Sequence, residues 1–63
     1  MENKFSKGDK IIRKDYQNYS YSNIYNHPFI VRNITDKEYV LKQPNFIGNM
    51  LINCVNNLFE KFN

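Results

Sequence analysis

Two side chains in this sequence carry the reactivity needed for covalent chemistry, its only histidine, His27, and its only cysteine, Cys54. A thiolate nucleophile with an imidazole base requires the two within hydrogen-bond reach. They lie far apart in the chain, His27 before Pro28 at the end of a polar stretch and Cys54 in an apolar one. The simpler expectation is an exposed loop imidazole and a buried thiol that packs as a small apolar group. The carboxylates Asp9, Asp15, Asp36, Glu38 and Glu60 stand singly, without the Asp-x-Asp spacing of a calcium loop or the Glu-x-x-His spacing of a helical metal pair. The two glycines, Gly8 and Gly48, are isolated, so no glycine-rich phosphate loop is formed. The sequence therefore predicts a chain with no enzymatic activity, no metal and no cofactor.

Recognition is the chemistry that remains. Tyr16, Tyr19, Tyr21 and Tyr25 alternate with Gln17, Asn18, Ser20, Ser22 and Asn23. Tyr supplies broad contact area at low entropic cost and Ser and Asn adapt their hydrogen bonds, which is the make-up of a protein-binding loop. The competing reading packs two of these rings, together with Ile24, onto a small core. Lys10, Arg13 and Lys14 from the basic N-terminal region, with Arg32, complete the candidate binding set. Cations beside tyrosines also suit a nucleic acid, the rings stacking on bases while the lysines and arginines meet phosphates. A net charge of +3 is mild for that role.

The elements that must position these groups follow from length and pattern. Sixty-three residues make one domain, residues 1–63, and a chain of this size buries only about 60% of the surface its unfolded form exposes. Most aromatics are therefore read first as core. The sequence has no Ala and many β-branched and aromatic residues, which favours short strands over a helical bundle. Lys10 to Lys14 after the turn pair Gly8-Asp9 read as the first strand, with Phe5 placed to plug one end of a barrel. Residues 15–28 read as a long structured loop or an irregular hairpin. Residues 29–34 and 38–42, joined by Thr35-Asp36-Lys37, read as a hairpin in which Ile30, Arg32 and Ile34 share one face and Tyr39 and Leu41 another. Pro44 interrupts the pattern, Gly48-Asn49 reads as a second turn, and Met50 to Cys54 as a further strand that closes on the first. Val55, Leu58, Phe59 and Phe62 recur at helical spacing and predict a short terminal helix, capped by Asn53 or Asn56. The expected core is Phe5, Ile11, Ile30, Ile34, Leu41, Ile52 and Leu58.

The succession Phe5-x-x-Gly8-Asp9-x-Ile11, then Phe29-Ile30-Val31 leading to Ile34-Thr35-Asp36-x-Glu38-Tyr39-x-Leu41, resembles small Src-homology-3-like barrels, including short modules of phage and Bacteroidetes proteins. The resemblance implies a mainly β fold of four to five antiparallel strands in an open barrel with a short C-terminal helix. It also puts residues 15–28 in the long loop between the first two strands, where that fold often binds ligands. The Gly-Asp pair is similar to the start of ribosomal and transcription modules of the KOW type, but the glycine inside that motif's first hairpin is missing.

A lone cysteine and the absence of a signal-like N-terminus imply a reducing, cytoplasmic setting, and no apolar run approaches the roughly 20 residues needed to cross a bilayer. Phe, Tyr, Met, Ile, Asn and Lys, all with A/T-rich codons, make up 37 of the 63 residues. That bias and the short chain suit a phage or mobile-element accessory protein. The leading expectation is thus a binding protein that occupies the surface of a larger host protein or complex, an inhibitor of a CRISPR-type defence nuclease being one instance. A small RNA- or DNA-binding barrel and a structural or self-associating component, including a homodimer through exposed strand edges, are the alternatives.

Overall fold

The computed structural model describes residues 2–62, which form five antiparallel strands in one unclosed sheet and one short helix. In chain order these are β1 (Lys10–Arg13), β2 (Phe29–Ile34), β3 (Glu38–Gln43), β4 (Phe46–Leu51), α1 (Ile52–Leu58) and β5 (Phe59–Lys61), and the spatial order of the strands is β4-β3-β2-β1-β5. The mainly β fold with one short helix is as the sequence predicts.

β1 starts where the turn residues place it. Gly8 has φ of 95°, a conformation that L side chains rarely adopt, and the Asp9 carboxylate accepts the Ser6 N–H at 2.9 Å to close the turn. Phe5 is buried just before this turn.

The β2–β3 hairpin forms, but the buried face of β2 differs from expectation. Phe29 and Val31 point into the core, and Ile30 is 40% exposed. The register passes from Val31↔Leu41 to Asn33↔Val40, which leaves Arg32 as the extra residue of a bulge. The bulge shifts the alternation by one, so Ile34 beyond it packs against the core alongside Phe29 and Val31. A period-two reading cannot anticipate that slip.

The second half of the chain is displaced relative to expectation. Pro44 and Asn45 make the β3–β4 turn, whereas Gly48 and Asn49 lie inside β4, which pairs with β3 from Glu38↔Leu51 to Gln43↔Phe46. Gly48 serves close approach: a Cβ there would stand 2.8 Å from the Phe46 ring. The helix runs over Ile52–Leu58, earlier than the 55–62 spacing suggests, and neither Asn53 nor Asn56 caps it. Ile52 and Val55 face inward from the helix, and Phe59 continues that burial as the first residue of β5. The strand that returns to β1 is thus the tail, with Ile12↔Glu60 and Arg13↔Phe59 in register, and not residues 50–54. Leu58 and Phe62 are 40% and 38% exposed, so Leu58 leaves the expected core. Cys54 is exposed on α1 and not buried in a strand.

The core is Phe5, Ile11, Phe29, Val31, Tyr39, Leu41, Ile52, Val55 and Phe59. Tyr39 is its largest member and its one polar tip is satisfied: the hydroxyl accepts the Phe5 N–H at 3.1 Å and donates to Asn56 Oδ1 at 2.9 Å. Asn56 in turn accepts the Lys4 N–H at 3.2 Å and donates to the Glu2 carbonyl at 2.8 Å, clamping the N-terminal segment to α1. Tyr39→Phe strands the buried Phe5 N–H and is expected to cost about 1–3 kcal/mol in urea unfolding. An unchanged midpoint would show that this hydroxyl does not hold the N-terminal segment.

Candidate functional site

Residues 15–28 form a folded structure with its own internal bonds, containing two 3-10 turns at Tyr16–Asn18 and Ile24–Asn26. The Asn23 side chain accepts the Tyr25 N–H at 2.9 Å and so starts the second turn, the use to which Asn is suited before helical turns. Asn26 Nδ2 donates to the carbonyls of Tyr16 and Tyr19 at 3.0 and 2.9 Å, tying the two turns together. Gln43, a buried polar residue on β3, donates through Nε2 to the carbonyls of Ile24, His27 and Pro28, the shortest at 2.8 Å. One amide therefore fastens the end of the segment to the sheet.

The predicted binding residues separate into two groups. Arg13, Tyr19 and Tyr25 come together: the guanidinium carbon lies 5.4 and 5.1 Å from the two ring centroids, and the rings are 5.4 Å apart. Arg13 also makes two parallel bonds to the Asp15 carboxylate at 2.9 and 3.0 Å, and its side chain is only 15% exposed. Two of its five N–H donors are turned to Asp15, so its charge is already met by a carboxylate. Tyr25 reaches inward to Phe29, and Tyr16 is half-buried. These three tyrosines pack within the segment; of them only Tyr25 packs against the core, where the packing alternative expects two, and Ile24, expected there too, is 37% exposed.

Tyr21 belongs to the second group and is 80% exposed. Its ring meets the His27 imidazole edge-on with centroids 4.7 Å apart, and His27 Nε2 is hydrogen-bonded to the Tyr21 carbonyl. The only imidazole is thus engaged within the segment, while Cys54 sits on α1. Lys10 on β1, Lys14 in the turn that follows it and Arg32 on β2 are all exposed, Lys10 with its ammonium 5.9 Å from the Phe62 ring centroid. Among the described residues no three of His, Cys, Asp and Glu gather as metal ligands would, and no helix is long and apolar enough to cross a membrane.

A surface that the residue patterns do not reveal lies beside Tyr21. Ser22, Ile24, His27, Pro28, Gln43, Pro44, Asn45 and Phe46 line an open groove of about 520 Å³. Pro28, Gln43 and Pro44 also border a second groove of about 400 Å³ whose other walls are Lys10, Ile30 and Lys42. The two adjoin at these three residues and together make one trough-like surface, apolar along Ile24, Phe46, Pro44, Pro28 and Ile30 and cationic at the Lys10 and Lys42 end. Pro28 and Pro44 each stand where a strand meets a connecting segment, the only signal in the sequence. That they meet is decided by Gln43.

The hydrogen bonds from Arg13 hold the Asp15 carboxyl below its ordinary value of 3.8, against the smaller opposing effect of burial. The contribution of this pair is therefore complete above that value and is lost as pH falls toward the depressed folded one. Acid titration of Tm is expected to show a steeper fall below about pH 3.8 for the native chain than for Asp15→Asn; parallel curves would mean that the pair adds nothing. Gln43→Leu is expected to speed amide exchange over residues 20–28 at least tenfold while β1 and β2 keep their protection, because the carbonyls of Ile24, His27 and Pro28 lose their shared donor. Uniform acceleration would make Gln43 a general core residue and not the fastening of this segment. Comparison of the chain with protein-family models, with curated proteins and with solved structures finds no match, so the functional reading rests on this geometry.

Proposed function

We propose that this chain is a non-enzymatic protein-binding module that receives an extended segment of a larger protein in the trough between the residue 15–28 segment and the β3–β4 hairpin. One observation carries the reading: a rigidly braced segment leaves Tyr21, Ile24 and Phe46 exposed around an open apolar trough. A surface braced before binding loses little conformational freedom on association, and that lowers the cost of recognition. Aromatic and proline side chains on its walls suit an extended polypeptide, and Lys10 and Lys42 favour an acidic residue at one end.

The long segment between β1 and β2 and the return of the last strand to the first support the resemblance to Src-homology-3-like barrels. The A/T-rich composition supports a phage or mobile-element origin, and within that reading the larger partner is a host protein such as a defence nuclease, inhibited by occupation of its surface. The nucleic-acid reading loses its central cation, since Arg13 is paired with Asp15.

Photo-crosslinking tests the proposal. A benzophenone side chain replacing Tyr21, in the cells that naturally make the protein, is expected to trap one discrete protein adduct. The same group replacing Asn57 on α1, away from the trough, is expected to trap none, and Ile24→Asp should abolish the Tyr21 adduct without moving Tm by more than a few degrees. Adducts to nucleic acid, or equal trapping from both positions, would overturn the proposal. So would binding to random oligonucleotides with a log-log salt slope of several units.

A further inference from the structure

The two edges of the unclosed sheet are built differently. β5 is three residues long and carries Glu60 and Lys61, the short charged form that discourages further pairing. β4 spans six residues, Phe46–Leu51, with no charged residue and no proline, and pairs only with β3 among the described residues. Its solvent face presents Ile47 and Leu51, 55% and 54% exposed, on either side of Asn49.

The hydrogen bonds around the edge settle which backbone groups are open. Ile52 N–H donates to the Lys37 carbonyl at 3.0 Å, and the Glu38 carbonyl accepts the Thr35 N–H at 2.8 Å on the opposite side of β3. Odd-numbered residues of β3 therefore turn their backbone groups to β4, and with Tyr39↔Met50 and Leu41↔Gly48 in register, Met50 and Gly48 face back toward them. Ile47, Asn49 and Leu51 direct their N–H and C=O groups away from the sheet. The two exposed apolar side chains, Ile47 and Leu51, thus belong to residues whose backbone groups are open, with Asn49 between them.

We propose that β4 pairs antiparallel with β4 of a second copy of this chain about a two-fold axis through Asn49. This register places Ile47 of each copy opposite Leu51 of the other and Asn49 opposite Asn49. All three open residues of both strands are then in hydrogen-bonded positions; a shift by two residues leaves some unpaired. The occupant is a second copy because the edge is self-complementary: the order apolar, polar, apolar reads the same in both directions, as an isologous contact requires. Charge does not oppose it, since Lys42 lies beside Ile47 and Glu38 beside Leu51, so the two outer cross-strand rows run from a lysine of one copy to a glutamate of the other, and the central row through Asn49 is flanked by Val40 of both copies. A strand edge about 20 Å long buries little area, so the dimer is weak and concentration-dependent. This pairing uses the β4 edge and does not depend on the trough reading.

Sedimentation of the full chain over a wide concentration range is expected to move from the mass of one chain to that of two, and Ile47→Lys, on an exposed site, is expected to hold it at one. In a Cys54→Ser background, Asn49→Cys should oxidise to a covalent dimer at least tenfold faster than Asp36→Cys, because opposed residues in a hydrogen-bonded pair stand about 5.5 Å apart between Cα atoms, within disulfide range. A single-chain mass at every concentration would overturn the proposal, as would a dimer that Ile47→Lys leaves intact or equal oxidation at the two positions. None of these readouts involves Tyr21 or Ile24, so their failure is separable from failure of the trough.

Discussion

The inner face of β3 is the constraint on which the rest of the molecule depends. Tyr39, Leu41 and Gln43 alternate along it, all buried, and each secures a different part of the chain. Tyr39 takes hold of the N-terminal segment and α1 through its hydroxyl. Leu41 packs in the centre of the core. Gln43 gathers three carbonyls from the end of the 15–28 segment. Two polar groups are thus buried in a domain with little core, which is tolerable because the Tyr39 hydroxyl and the Gln43 amide nitrogen both have partners. Among the described residues no buried side-chain polar atom is left without one.

A small core also explains why the tyrosine-rich segment leaves only one of its tyrosines largely in solvent. A chain of this length cannot leave four tyrosines in solvent and still offset the entropy of ordering a fourteen-residue connection. Tyr16, Tyr19 and Tyr25 serve the segment's own packing, and Arg13 lies over two of their rings while its charge is met by Asp15. The result is a rigid rim that leaves Tyr21 exposed. Bracing and display are therefore divided between neighbouring residues of one composition.

The trough and the open strand edge both lie on or around the β3–β4 hairpin. Pro44 and Phe46 line the trough, while Ile47, Asn49 and Leu51 occupy the free edge. Gly48 makes both arrangements compatible, because its missing side chain lets the Phe46 ring fold under the strand while the neighbouring residues keep a regular edge. A side chain at that position would displace either the ring or the strand.

Much of the fold was legible in the residues themselves. The mainly β class, the start of β1 at Gly8-Asp9, the hairpin across Thr35 to Lys37 and the burial of Phe5, Ile11, Leu41 and Ile52 follow from turn chemistry and from local period, which act over a few residues. The inward face of β2 did not follow, because the bulge at Arg32 is set by pairing with β3. The tail did not follow either: Val55, Leu58, Phe59 and Phe62 carry a helical spacing, yet Phe59 gains more as the first residue of a strand beside β1 than as the last turn of a helix. For the site, the composition of residues 15–28 correctly marked a structured segment. Which tyrosine is displayed, which are spent on Arg13, and where Pro28 and Pro44 meet were decided only by tertiary structure, because each depends on a side chain from a distant strand reaching across the fold.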